Sequence, residues 1–333
     1  MEEGPAPAQA STRAAQGGGQ GSAAPVVTVT MSTGEVLTHR KYGEHYHSLT
    51  IVAPDIGERV QPGQFVNVAC ADGSAHILRR PFSVYRVHKR GGWASTIEIV
   101  FDVRGPGTAY LAGLRTHSSL DLVGPLGRGF TLPGRRAHAL LVGGGIGAAP
   151  LFFLADELRN EGHRVDCILG ARSARYLLNA IDVRRLASVY RITTEDGSTG
   201  ERGIVTDVMS ETMERCGTEV VYACGPQGML AAVSGIAAGR GVPVEVAVEE
   251  LMACGYGVCM TCVMPLQRAR RKGQLETYYA RSCTEGPVFD GALVVWNGAG
   301  DPVAAEESEL APAGTPARGI ALDGLDEHAP PGN

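Results

Sequence analysis

The chain has 333 residues, a formal net charge of −5 and 44% hydrophobic residues, enough for two or three domains with buried cores. The mild acidity argues against nucleic acid as a partner, and the lack of any apolar run of about 18 residues argues against a membrane-spanning helix. The start, Met1-Glu-Glu-Gly-Pro5, lacks the charged lead and apolar core of an export signal, so a cytoplasmic location with reduced cysteines is expected.

Residues 1–24 are Ala, Gly, Gln, Ser and Pro with almost no large apolar side chains. Such a segment buries too little surface to offset its ordering entropy, and it reads as disordered. From 25 to 135 the pattern is short alternating runs, at 26–30, 47–52, 64–68, 82–87 and 96–101, broken by Gly and Pro. Closely spaced short strands predict a small antiparallel barrel. From 136 to 245 the texture changes. Strand-like runs at 139–142, 165–169, 219–224 and 244–248 alternate with helical stretches at 148–160 and 227–238, the pattern of a parallel α/β domain. A cysteine-rich module follows at 246–300. Residues 301–333 carry seven acids against one base, Arg318, and read as a second mobile tail. The fold class expected is an α+β multidomain chain: barrel, parallel α/β domain, small cysteine module.

Three stretches in the barrel region can meet a phosphate or a ring. Arg80-Pro81-Phe82-Ser83 opens a strand with a guanidinium fork and a hydroxyl. Arg104-Gly105-Pro-Gly107-Thr108 offers glycine N–H groups and a hydroxyl that can cap a helix or meet a phosphate. Residues 124–130 are turn-rich and equally suit a plain hairpin loop. In the α/β region, Gly143-Gly144-Gly145-Ile-Gly147-Ala-Ala-Pro150 follows a strand and opens a helix. Such a turn binds a pyrophosphate with backbone N–H groups, although glycines also serve tight strand–helix packing. The acid that would hold a ribose about 20 residues on is not obvious. Asp166 lies inside the second strand, and its tip carries Arg172 and Arg175, which suit either a 2′-phosphate or plain solvation. The choice between NAD and NADP stays open.

Cys254-Gly-Tyr-Gly-Val-Cys259-Met-Thr-Cys262, with Cys283 beyond, has the C-x4-C-x2-C…C spacing of a plant-type [2Fe–2S] cluster. Gly255 and Gly257 let the loop curl around such a centre. Zinc accepts four cysteines too but favours paired C-x2-C spacing, and disulfides need an oxidising compartment. Cys70, Cys167 and Cys216 read as packing residues. His45, His47 and His117 read as surface or structural residues. No acid–base dyad stands out, so no catalytic residue is assigned.

Together these motifs resemble the ferredoxin–NADP reductase superfamily. Its Arg-x-Tyr-Ser motif is close to residues 80–83, and its Cys-Gly-Pro-x-x-Met motif is similar to Cys224-Gly225-Pro-Gln-Gly-Met229. The cluster stretch, residues 249–262 with 281–289, narrows the likeness to the electron-transfer subunits of type B dihydroorotate dehydrogenases, over about residues 26–298. The resemblance implies FAD on the barrel, held at Arg80, Pro81, Phe82, Ser83, Gly105, Gly107 and Thr108. It implies NAD(H) at Gly143, Gly144, Gly145 and Gly147, with Cys224 and Gly225 near the nicotinamide. Cys254, Cys259, Cys262 and Cys283 would be the cluster ligands. The implied partner is an FMN-containing dihydroorotate dehydrogenase catalytic subunit, two of each chain in a heterotetramer, working in pyrimidine (UMP) synthesis. A flavin is the link required between a two-electron nicotinamide and a one-electron cluster. Two departures stand out. Phe82 replaces the usual Tyr, and 20 residues separate Cys262 from Cys283, including the basic run 268–272, which looks like a hairpin insertion. A ferredoxin:NADP or hydrogenase-linked reductase subunit would share these motifs, and a cluster-based redox sensor would share the cysteines.

Overall fold

The computed structural model describes residues 29–70, 77–91, 93–269 and 274–296. The two tails expected to be disordered lie outside the described residues, as do 26–28 of the first expected strand and 270–272 of the basic run.

Six strands close the barrel. They are β1 (Thr30–Tyr42), β2 (Tyr46–Val52), β3 (Phe65–Val68), β4 (Arg80–Arg90), β5 (Trp93–Asp102) and β6 (Ser119–Leu126), with helices α1 (Pro54–Gly57) and α2 (Pro106–Gly113) in the connections. The spatial order is β1-β2-β5-β4-β3-β6, antiparallel throughout. Closure leaves no bare sheet edge. Period-two alternation sends Leu49, Ile51, Val66, Val68, Ile97, Ile99 and Leu122 into one apolar core. β1 is far longer than the run 26–30 suggests. Only Gly34 and Val36 of its thirteen residues are buried, so its polar face conceals it from an apolar-pattern reading.

The parallel sheet is built by β7 (His138–Gly144), α3 (Ala149–Asn160), β8 (Arg164–Ala171), α4 (Ala180–Leu186), β9 (Tyr190–Thr194), β10 (Glu201–Arg202), α5 (Val205–Cys216), β11 (Val220–Cys224), α6 (Gln227–Ala238) and β12 (Val244–Ala247). Then come a hairpin, β13 (Val263–Ala269) with β14 (Leu275–Arg281), and a short β15 (Val288–Asp290). The sheet order is β10-β9-β8-β7-β11-β12-β15, with only β15 antiparallel. The chain winds outward from β7 through β8 and β9, then returns to β11 on the other side. Connections at the carboxyl ends of β7 and β11 therefore diverge and leave a crevice, the place where open α/β sheets bind ligands.

Barrel and sheet are joined by specific contacts. Phe152 of α3 packs on Tyr85 of β4, ring centroids 5.0 Å apart. The Arg86 guanidinium lies 2.9 Å from the Asp182 carboxylate. Asn179 Nδ2 donates to the Tyr85 hydroxyl at 2.9 Å, and the Tyr46 hydroxyl donates to the Tyr176 carbonyl at 2.9 Å. Cys70, Cys167 and Cys216 are buried packing residues. His47 stacks on Phe101, and His45 stacks on Tyr176. Among the described residues no helix is long and apolar enough to cross a membrane.

Candidate functional site

The crevice is a cavity of about 620 Å³ between two glycine loops. Gly144, Gly145 and Gly147 line it from the end of β7, and Gly225, Pro226 and Gly228 line it from the end of β11. The loops touch backbone to backbone. A Cβ on Gly147 would lie 2.7 Å from Gly225 Cα, and one on Gly144 would lie 2.7 Å from Met229 Sδ. Gly145 has φ +55° with open space around it, so its requirement is conformational. Gly143 plays a different part. It is not among the lining residues, and a Cβ there would press on Ala148 and Leu169 at 2.7 and 2.8 Å. Its missing side chain serves strand–turn packing.

A second cavity of about 300 Å³ lies between barrel and sheet. Pro81, Phe82, Ser83 and Thr108 line it from the barrel, Cys224 and Glu249 from the sheet side. Asp102, Arg104, Ile146 and Glu249 line both cavities, which are therefore neighbours sharing a wall. Arg80, Gly105 and Gly107 are not lining residues, but a Cβ on Gly107 would lie 3.7 Å from Arg80 Cγ, so the two barrel stretches meet. The Thr108 hydroxyl accepts from the N–H groups of Arg104 (2.9 Å) and Gly105 (3.2 Å), capping the start of α2. Burial pushes the Cys224 thiol far up, and the Glu249 carboxylate adds to this. Glu249 is raised by desolvation among these walls, with Arg104 opposing, while keeping accessible surface in the cavities.

The cysteine loop borders this second cavity. Cys262 and Cys283 are buried and cluster with Phe65 and Leu126, with Met252 packed against them. Phe65 and Met252 also line the cavity. Cys259 is exposed, and Cys254 lies between these extremes. N–H and O–H groups already point at sulfur. Tyr256 N donates to Cys254 Sγ (3.3 Å), Gly257 N to Cys283 Sγ (3.2 Å), and Thr261 Oγ1 to Cys259 Sγ (3.2 Å). The Thr261 hydroxyl and N–H hold the Cys259 thiol down to about 6, whereas burial and the neighbouring Cys262 push Cys283 up to about 12. Gly255 and Gly257 have φ +76° and +79°. Asn67 of β3 donates to the Cys254 carbonyl at 3.1 Å, and Arg281 Nη1 donates to the Gly257 carbonyl at 3.0 Å.

The long gap between the last two cysteines is taken up by the hairpin. β13 pairs with β14 from Val263↔Arg281 onward, and Ser282 N donates to the Cys262 carbonyl at 2.8 Å. The hairpin base thus returns the chain to Cys262 just before Cys283. The donor set fits an iron–sulfur centre. The Cys283 thiol, pushed up by burial and by its neighbour Cys262, would be relieved by a cation, and the sulfur-directed donors match thiolate charge. Among the described residues no group of three or more His, Cys, Asp or Glu side chains is drawn together as a metal site, so the fit rests on the chemistry and spacing of the donors. Sequence reasoning missed Phe65, Asn67, Asp102, Glu195 and Glu249 as site residues. Asn67 lies 187 positions from its partner, and only folding brings them together.

A closed antiparallel barrel feeding a doubly wound parallel sheet, with two adjoining cavities at the junction, defines a reductase of the ferredoxin–NADP reductase type. Residues 141–235 match the oxidoreductase NAD-binding domain, and residues 249–295 match the iron–sulfur cluster binding domain of dihydroorotate dehydrogenase B. The "dihydroorotate dehydrogenase B (NAD(+)), electron transfer subunit" of Desulforamulus reducens is 39% identical over 244 residues, covering 73% of this chain and 90% of that protein. Its Geobacillus thermodenitrificans counterpart is 37% identical over 263 residues, 78% of this chain and 96% of that one. Among solved structures, an NADH-dependent reduced ferredoxin-NADP oxidoreductase studied for flavin-based electron bifurcation is similar with a TM-score of 0.67. It is 28% identical, covering 79% of this chain and 90% of that chain. The chain belongs to the family of electron transfer subunits of dihydroorotate dehydrogenase B (NAD(+)). It is an oxidoreductase subunit with an NAD-binding and an iron–sulfur cluster binding region.

Proposed function

We propose that this chain carries electrons between NAD(H) and an FMN-containing dihydroorotate dehydrogenase catalytic subunit, by way of FAD and a [2Fe–2S] cluster, in cytoplasmic pyrimidine synthesis. The observation that carries this reading is a single junction. Phe65 and Met252 line the barrel-side cavity with one side and pack against Cys262 and Cys283 with the other. The nicotinamide exchanges a hydride, the cluster exchanges single electrons, and the flavin does both.

The chain's own residues then have assigned work. The N–H groups of the glycine turn at 144–147 bind the dinucleotide pyrophosphate at the helix start. Arg80, Ser83 and Thr108 hold the flavin from the barrel, with the Phe82 ring as apolar wall. Cys224 and Glu249 bound the space where nicotinamide and flavin meet. Cys254, Cys259, Cys262 and Cys283 ligate the cluster. Val258 and Met260 flank the exposed Cys259 and are 80% and 52% exposed, and Leu251, earlier in the same loop, is 80% exposed. Exposed apolar side chains in one loop suit a protein contact, and we place the catalytic subunit there, two of each chain per complex.

The test is anaerobic purification of the chain with and without its catalytic partner. The expected result is roughly one FAD and two irons per chain, NADH-dependent dye reduction by the chain alone, and orotate-linked turnover only in the complex. A chain lacking flavin and iron would refute the relay. A native mass other than two plus two would refute the stoichiometry alone.

A further inference from the structure

We propose that Asn67 is a positioning residue for electron transfer. Its side-chain amide ties the start of the cysteine loop to the strand beside the flavin stretch, and so sets how the two redox centres face each other. This rests on the reading of the chain as a flavin–cluster relay. β3 has four residues, all buried. Its edge pairs with β4 along the whole of Arg80–Ser83, as Phe65↔Ser83, Val66↔Phe82, Asn67↔Pro81 and Val68↔Arg80. Side chains alternate along a strand. Val66 and Val68 enter the barrel core. Phe65 and Asn67 point the other way, and both meet the cysteine module. Phe65 packs against Cys262 and Cys283, and Asn67 Nδ2 donates to the Cys254 carbonyl at 3.1 Å. One strand thus holds the flavin stretch by its backbone and the cysteines by its outer side chains.

The contact at Asn67 is close and has a cost. A Cβ on Gly255 would lie 2.2 Å from Asn67 Nδ2, so the loop backbone lies against the amide. Asn67 is 2% exposed, and its Oδ1 has no hydrogen-bond partner among the described residues. A buried unpaired acceptor is unfavourable, and an apolar side chain at this strand position would avoid it. What the apolar side chain lacks is the amide N–H. Holding the Cys254 carbonyl fixes the first residue of a turn whose Tyr256 and Cys259 N–H groups both point at Cys254 Sγ, at 3.3 and 3.5 Å. The segment after Cys283 is secured differently, backbone to backbone, where Arg128 N donates to the Gly286 carbonyl at 2.5 Å. A substitution at 67 therefore loosens one end of the module and leaves the other tied.

Asn67→Leu and Asn67→Asp both remove the donor, the first with an apolar side chain of similar size, the second with a carboxylate of the same shape. Each is purified anaerobically as the full chain and compared with wild type by iron release to a chelator and by the EPR spectrum and midpoint potential of the cluster. Rapid-mixing absorbance follows flavin reduction by NADH and then the passage of one electron from flavin to cluster. Iron release is expected to quicken and passage to the cluster to slow, each roughly tenfold, the scale of one lost hydrogen bond, while flavin reduction stays within about twofold. The EPR lines are expected to shift. Unchanged iron release and an unchanged flavin-to-cluster rate in a variant that holds FAD overturn the assignment and leave the relay standing. A slowing that the midpoint potential alone accounts for also overturns it, since Asn67 then tunes the cluster rather than places it. Loss of FAD from both variants overturns it too, since Asn67 then supports the barrel. A wild-type chain without FAD or iron overturns the relay reading and this assignment together.

Discussion

The crevice between β7 and β11 and the cysteine loop at 249–262 solve opposite problems. The crevice is made of backbone. Two glycine loops are pressed together at the ends of paired parallel strands. The cysteine loop has almost no regular structure. It is held by side-chain staples from Asn67 and Arg281 and by the burial of Cys262 and Cys283 against Phe65 and Leu126. A dinucleotide that comes and goes suits a preformed cradle. A resident cluster can be part of what folds its own loop.

The largest expected effect separates the two regions outright. Cys259→Ser should abolish the cluster spectrum and lower electron transfer to the catalytic subunit by more than roughly a hundredfold, while dye reduction by NADH stays within a few fold. Full iron content with an unchanged spectrum would contradict the ligand assignment. Next, in metal-free protein, Cys259 should alkylate with a midpoint near pH 6, becoming thiolate above it, while Cys283, raised to about 12, stays largely protonated and inert at neutral pH. Mass spectrometry of the labelled peptides reads this contrast, and equal labelling rates would erase it. Reconstitution should then protect both.

The crevice yields to a smaller change. Gly147→Ala puts a methyl 2.7 Å from Gly225 Cα, and overpacking of this kind costs about 1–3 kcal/mol. KM for NADH should rise about tenfold with iron content untouched. The smallest effects compare like with like. Gly145→Ala and Gly255→Ala both place a side chain at positive φ, at a conformational cost of about 1–2 kcal/mol. Gly145 has open space, whereas a Cβ on Gly255 would meet Asn67 Nδ2 at 2.2 Å. Thermal melts should show a few degrees of loss for Gly145→Ala, and a larger loss with faster iron release for Gly255→Ala. Equal melting temperatures and iron retention in the two variants would remove Asn67 from the account.

This contrast also explains what was legible in the sequence. Strong local periodicity exposed the barrel, the strand–turn–helix units and the glycine turn, because those features are written in neighbouring residues. The cysteine spacing was legible for the same reason. The rest depended on chain segments far apart. β15 is three residues long and becomes a strand only by pairing with β12. Phe65 reads as one more barrel core residue until the cysteines are seen packed against it. Gly143 belongs to the glycine motif by pattern, yet the fold turns it toward Ala148 and Leu169. Glu195 lines the crevice from the end of β9, a place that no local pattern in the sequence marks.

The hairpin β13–β14 has a further consequence. Its base returns the chain to Cys262, and bonds from Gln267 N to the Leu293 carbonyl and from Val295 N to the Pro265 carbonyl anchor it further out, so cross-strand pairs added beyond Gln267 leave the thiols in place. Protein engineers can use it as a handle, grafting an epitope or a fluorophore site onto the arm while the metal centre keeps its place.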